Sequence, residues 1–143
     1  MSVKQISVFV ENKKGRLAEI TAMLANNNID ISALSIADTT DFGILRLIVN
    51  NPDLAQKVLK DDGLAVKSTD VIAIGIDDVP GGLAKALDLL NKKDISIEYM
   101  YAFVGKSDKK AIVVIKTEMP ELAVETLSKA NIKVLTTDEV YGL

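Results

Sequence analysis

Two glycine turns hold the residues of this chain whose types and spacing best suit ligand chemistry. The first reads Asn12-Lys13-Lys14-Gly15-Arg16-Leu17-Ala18 and the second Asp78-Val79-Pro80-Gly81-Gly82-Leu83-Ala84. Each lies between a short apolar run, Ile6 to Val10 or Val71 to Ile76, and an amphipathic stretch. Backbone N–H groups at the start of a helix are unpaired by the helix and sit at its positive end, so they suit an anionic group such as a carboxylate. Gly15 and Gly81 carry no side chain to hold a ligand away from that backbone, although a glycine also simply permits the turn. At equivalent places, Asn12 offers an amide oxygen and Asp78 a carboxylate, either of which can meet an ammonium group or cap the helix. Lys13, Lys14 and Arg16 place positive charge near the first helix start, against the dipole, as an anionic ligand or solvated surface lysines would explain.

The chemistry on offer is binding rather than bond making. The 143 residues include no cysteine and no histidine. That removes the thiolate nucleophile, the zinc–thiolate site and the commonest general base, and no cofactor or metal is expected. Arg, Asp, Asn and Lys form no convergent constellation, so a small hydrolase has no support. A net charge of −3, without a basic face interleaved with aromatics, argues against a nucleic-acid partner. No run approaches the roughly 18 to 20 apolar residues of a membrane span, and the first ten residues lack the order of a signal peptide. The expectation is a cytoplasmic protein with no membrane partner.

The elements that must position these turns come in two copies. Gly15 and Gly81 are 66 residues apart (81 − 15), and the offset holds through the second strand. In the first copy Leu17, Ile20, Thr21 and Leu24 recur at helical spacing, and Asn26-Asn27-Asn28 stops the helix. Strands are expected over Ile29 to Ala37 and Ile44 to Val49, around the turn Asp38 to Gly43. Asn51-Pro52-Asp53 starts a capped helix with Leu54, Ala55, Val58 and Leu59 on its apolar face. Asp62-Gly63 ends it, and Leu64 to Lys67 begins a fourth strand. The second copy has Leu83, Ala86, Leu87 and Leu90 on its helix and a strand over Ile95 to Phe103. After a longer hairpin, Val104 to Lys110, the offset becomes 68 (120 − 52); Leu122, Ala123 and Leu127 follow Pro120, and Ile132 to Leu135 forms the last strand. The tail Thr136 to Tyr141 shares the register of Ser68 to Ala73 and is expected to be a strand covering a sheet edge.

Strand, helix, strand, strand, helix, strand, twice over, gives an α+β protein of two ferredoxin-like βαββαβ domains in tandem, residues 1–69 and 70–143. Each is an antiparallel sheet with both helices on one face. Ile36, Leu47, Val49, Val114 and Ile115 supply more apolar strand surface than one helix layer covers, which points to domain pairing and a homodimer.

The first turn with Ile29-Asp30-Ile31, and the second with Ile95-Ser96-Ile97, resemble the signature of ACT domains. The resemblance covers essentially the whole chain, which is similar to small proteins made of two ACT domains, and Ala37 to Leu47 resembles the matching segment of that group. Lys14 departs from it, since the family usually carries proline there. The second turn keeps the fuller pattern and is the favoured site.

The resemblance implies a noncatalytic regulatory protein that binds an amino acid where ACT domains meet and senses it by a change in domain or subunit packing. Implied ligand-binding residues are Asn12, Lys14, Gly15, Arg16 and Leu17 in the first turn and Asp78, Val79, Pro80, Gly81, Gly82 and Leu83 in the second. The opposite wall would come from the second strands, through Ile31, Ser32, Ala33 and Leu34 in one copy and Ile97, Glu98, Tyr99 and Met100 in the other. Side chains alternate along a strand, so half of each set can face one cavity. Tyr99, Tyr101 and Phe103 fall on one face, as an aromatic pocket or an interface stripe. The competing reading is a ligand-independent oligomerisation module or a regulatory subunit of an amino-acid metabolic enzyme.

Overall fold

Strand β1 (Val3–Glu11) leads through the first glycine turn into α1 (Arg16–Asn26), followed by β2 (Ile31–Asp38), β3 (Phe42–Val49), α2 (Pro52–Asp61) and β4 (Ala65–Asp77). The second glycine turn then leads into α3 (Gly82–Asn91), β5 (Ile97–Ala102), β6 (Lys110–Thr117), α4 (Pro120–Lys129), β7 (Lys133–Val134) and α5 (Thr137–Tyr141). The structure, a computed structural model, describes residues 2–38, 41–104 and 110–143. Parts of both expected hairpin turns, Thr39 and Thr40 in one and residues 105–109 in the other, lie outside the described residues.

The chain divides into two compact units, Lys4–Thr69 and Asp70–Leu143, the latter joined by Ser2 and Val3. In the first, the strand order is β2-β3-β1-β4, and β3 is antiparallel to both β1 and β2. In the second, β4 pairs antiparallel with β6 and β7, and β6 with β5.

Each unit has one core between its sheet and its two long helices. Ile6, Val8 and Val10 alternate inward from β1 and meet Ile20 and Leu24 of α1 and Ala55 and Leu59 of α2. The second core repeats this with Ile72, Ile74 and Ile76, Ala86 and Leu90, and Ala123 and Leu127. A fully buried leucine or isoleucine contributes about 1.5 to 3 kcal/mol against about 1 for a helix cap, so the paired faces set the fold and the caps set the helix ends. The ends agree with that division. Asn51 accepts a hydrogen bond from the Leu54 amide at 3.2 Å, with Pro52 in the first turn. Asn28 and Asp94, equivalent residues after α1 and α3, both take the left-handed backbone at φ 57° and 56°, which Asn and Asp tolerate better than most residues.

Three expectations about the strands and the tail are corrected. The expected fourth strand and the strand into the second turn are a single 13-residue strand, β4, because Ser68-Thr69-Asp70 contains neither glycine nor proline to break it. The expected strand over Ile132 to Leu135 is shorter, with only Lys133 and Val134 in β7, although the Leu135 amide still donates to the Ala73 carbonyl at 2.8 Å. The expected edge strand over Thr136 to Tyr141 is the helix α5. Thr136 accepts from the Glu139 amide at 3.2 Å, and the Glu139 carboxylate accepts from the Thr136 amide at 3.1 Å. This reciprocal capping box starts a helix, and Val140 is buried on its inner face. The equivalent stretch of the first copy has Ser68 but Val71 in place of the glutamate, so it has no such start and continues as strand.

Candidate ligand clefts at the glycine turns

Gly15 (φ 84°, ψ −6°) and Gly81 (φ 88°, ψ −6°) adopt the same left-handed conformation at the N-cap of α1 and α3. Glycine is the residue that enters this region without a Cβ penalty. The N-cap residue of each helix is thus a glycine, which has no side chain to cap the first turn. The first helical bonds are Glu19 to Gly15 and Lys85 to Gly81, each 3.0 Å from amide to carbonyl. The Asn12 amide donates to the Asp41 carbonyl at 3.1 Å, tying the first turn to the β2–β3 hairpin.

Among the described residues, a smaller and a larger cavity open at the first turn. The smaller, about 100 Å³, lies on the helix side of the sheet among Val10, Asn12, Arg16, Leu17, Ile36 and Gly43. Gly43 forms its floor. A Cβ there would stand 3.6 Å from the Asn12 side-chain oxygen and 3.7 Å from the Ile36 γ-methyl, space that glycine leaves open. Leu17 and Ile36 remain 41% and 49% exposed, so the rim is apolar and unroofed within the unit. The larger cavity, about 520 Å³, is lined by Phe9, Lys13, Lys14, Arg16 and Phe42 together with the chain at Gly63–Ala65.

Charge at this turn is locally balanced. Lys13 pairs with Glu11 at 2.7 Å, and Arg16 with Glu19 at 2.7 Å and Asp62 at 4.0 Å. The hydrogen bond and charge of Lys13 hold the Glu11 carboxyl below its ordinary range.

The second turn differs just past its glycine. A Cβ at Gly82 would stand 2.1 Å from the backbone oxygen of Asp77, so the helix start presses against the end of β4 and only glycine fits. Arg16 occupies that place in the first turn. Asp78, Val79, Pro80 and Gly81 are exposed, while Leu83 is half-buried against the second core. The Asp77 carboxylate pairs with Lys110, whose hydrogen bond lowers its pKa.

The second-strand residues lie elsewhere within each unit. Ile31 pairs with Val49 at the opposite end of β2 from the turn, with Ser32 in a bulge before Ala33. Ile36, five residues on and so about 17 Å away along a strand, is the one that lines the cleft. A bulge also follows Ile97, which pairs with Thr117, whereas Tyr99 pairs with Lys116 and faces the other way. Thus Ile31, Leu34, Ile97 and Met100 face the helix side and Ala33 and Tyr99 the other. Glu98 pairs with Lys116 at 3.5 Å, and Tyr99 stacks on Tyr101 with ring centroids 6.5 Å apart. Ile36 and Gly43 were not among the expected ligand residues. The available signal was a glycine inside a strand, which often marks a close approach.

Among the described residues, no group of acidic side chains is arranged to hold a metal, and no helix is long and apolar enough to cross a membrane.

Comparison with solved structures finds a protein of Bacteroides thetaiotaomicron with 45% identity and a TM-score of 0.93, covering 100% of this chain and 98% of that one. The ligand-free regulatory subunit of aspartate kinase from Thermus thermophilus has 18% identity and a TM-score of 0.63, over 89% of this chain and 91% of that one. A structure of aspartokinase alpha and beta subunits has 20% identity and a TM-score of 0.61, over 89% and 90%. At these identities the two kinase structures show a shared fold. Comparison with curated proteins returns no match. The family model described as an ACT domain pair matches residues 1–143, and the chain therefore belongs to the family of paired ACT domains.

Proposed function

We propose that this chain is a noncatalytic, cytoplasmic regulatory protein that binds an amino acid at a glycine turn and reports it through the packing of ACT domains in a homodimer. The observation that carries the reading is the matching left-handed turn at Gly15 and Gly81, each opening a helix whose N-cap residue is a glycine. Such a start offers backbone N–H groups to a carboxylate. At the first turn the Asn12 amide group and the bare floor at Gly43 lie beside it, and exposed Leu17 and Ile36 leave an apolar side for an ACT domain of a second copy to close.

Although the second turn keeps the fuller family pattern, we assign the amino acid to the first, because the side chains around the second are different. The counterparts of Ile36 and Gly43 are Ala102 and Ala111, so the two turns have unequal affinity and specificity. A ligand shifts the packing only by binding one arrangement better than another.

A ligand-independent oligomerisation module, or regulatory subunit of an amino-acid metabolic enzyme, is the second reading, favoured by exposed Leu34 and Ile36 on β2 and by neighbours that are regulatory subunits of aspartate kinase. A thermal-shift screen against the common amino acids, with sedimentation of each mixture, separates the two. A ligand that binds only the folded state raises the melting temperature. A module that acts by oligomerisation alone gives no shift with any of them.

A further inference from the structure

We propose that the larger cleft of the first unit is a second ligand site, one that takes a planar aromatic ring carrying a phosphate-type anion, about the size of a mononucleotide. Its volume, about 520 Å³, falls in the range of roughly 300 to 1,000 Å³ typical of small-molecule sites. A free amino acid would fill little of it.

The walls supply two kinds of recognition. Phe9 and Phe42 are two of the three phenylalanines in the chain, yet they are 47% and 56% exposed. Register places Phe9 opposite Ile44 and Phe42 opposite Glu11, so the two rings are diagonal neighbours on one sheet face, away from α1 and α2. Rings left half in water on a flat strand surface form a stacking platform for a planar ligand. At the rim stand three cations, Lys13, Lys14 and Arg16, against two carboxylates, Glu11 and Glu19, a balance of +1 (3 − 2). Glu11 is held by Lys13 and Glu19 by Arg16, each at 2.7 Å. Lys14 has no ion pair among the described residues and is the cation left to meet an anion. The same turn walls off the smaller cleft, so the two sites share Lys13 and Arg16 but differ in floor, with Gly43 under one and the phenylalanine pair under the other.

The test is calorimetric titration of the full chain with four probes: adenosine monophosphate, adenosine, inorganic phosphate and phenylalanine. The expected result is that the monophosphate binds about tenfold or more tighter than either half-ligand, and that Lys14→Gln and Phe42→Ala each weaken it about five- to tenfold. Both side chains are on the surface, so the variants retain the fold, checked by circular dichroism, and Met119→Asn, at an exposed residue that lines neither cleft, leaves the monophosphate response unchanged. No heat with adenosine monophosphate at about 5 mM overturns the proposal. It is overturned equally if phosphate alone binds as tightly, or if binding survives both substitutions. Binding of phenylalanine that is lost in Gly43→Val belongs to the amino-acid cleft, so failure of one site is distinguishable from failure of the other.

Discussion

The hydroxyl of Thr137 donates to the carbonyl oxygen of Ser2 at 2.9 Å, tying together positions 135 residues apart. The start of the chain is thereby part of the Asp70–Leu143 unit rather than of the unit it leads into, and Val3 beside it is only 1% exposed. Val3→Ala removes two buried methyl groups and is expected to destabilise the protein by about 1 to 3 kcal/mol in urea unfolding. Hydrogen exchange should then rise in β7 and α5 before it rises in α1. Loss of protection in α1 first would assign Val3 to the other unit.

Gly81 and Gly82 are adjacent but constrained in different ways. Gly81 has open space around its Cβ position and only the left-handed backbone to satisfy, so Gly81→Ala should cost about 1 to 2 kcal/mol. At Gly82 the new methyl would meet the Asp77 carbonyl at 2.1 Å. Gly82→Ala should therefore cost more, about 2 to 4 kcal/mol, by forcing the helix start away from β4. Equal melting temperatures for the two variants would contradict the close approach.

Helix α4 lacks the cap that its counterpart α2 has. Met119 stands where Asn51 stands in the first copy, is 42% exposed, and offers no side-chain acceptor to the first turn. Met119→Asn is expected to stabilise the protein by about 0.5 to 1 kcal/mol, read as a higher urea midpoint at unchanged slope.

Glu139 links the α5 capping box to Lys133, which it meets at 2.8 Å. The Lys133 hydrogen bond, and after it the Thr136 backbone amide, hold its carboxyl below the ordinary value of 4.5. A depressed carboxyl stabilises the fold above its unfolded value and loses that contribution as pH falls through the folded one. Acidification below about 4.5 should therefore loosen α5, seen as a lower protection factor of the Val140 amide relative to the intrinsic rate at the same pH. In Glu139→Gln the same amide should have a low protection factor already at neutral pH, and that factor should change little with acid. Fraying of α5 above pH 6 in the wild type would contradict the assignment.

The sequence made the paired phrase and both cores legible because helix faces and turn glycines are local. Ile20 and Leu24, or Ala86 and Leu90, announce an inward face whatever surrounds them. Leu17 shares that spacing but is exposed, because the first turn of α1 overhangs the cleft instead of the core. The bulges after Ile31 and Ile97 were illegible, since a bulge exists only relative to the strand it pairs with. Cleft lining depends on pairing in the same way. Gly43 and Ile36 meet Asn12 only because β3 sits between β1 and β2 in one register. The helix α5 had a local signal in Thr136 and Glu139, and the repeat register to Ser68 masked it.

The central claim, an amino acid held at the first glycine turn over Gly43, is tested most directly by titrating the wild type and Gly43→Val with the common amino acids by calorimetry. Gly43 is not in a left-handed conformation, and a Cβ there meets its neighbours at ordinary contact distances of 3.5 to 3.7 Å, so the backbone accepts a side chain, and retention of the fold by the variant is checked by circular dichroism. The added methyls would then occupy the cleft floor. The account predicts that at least one amino acid binds the wild type and that its affinity falls about tenfold or more in Gly43→Val. Absence of binding to the wild type by every amino acid at millimolar concentration, or equal affinity in the variant, would contradict it.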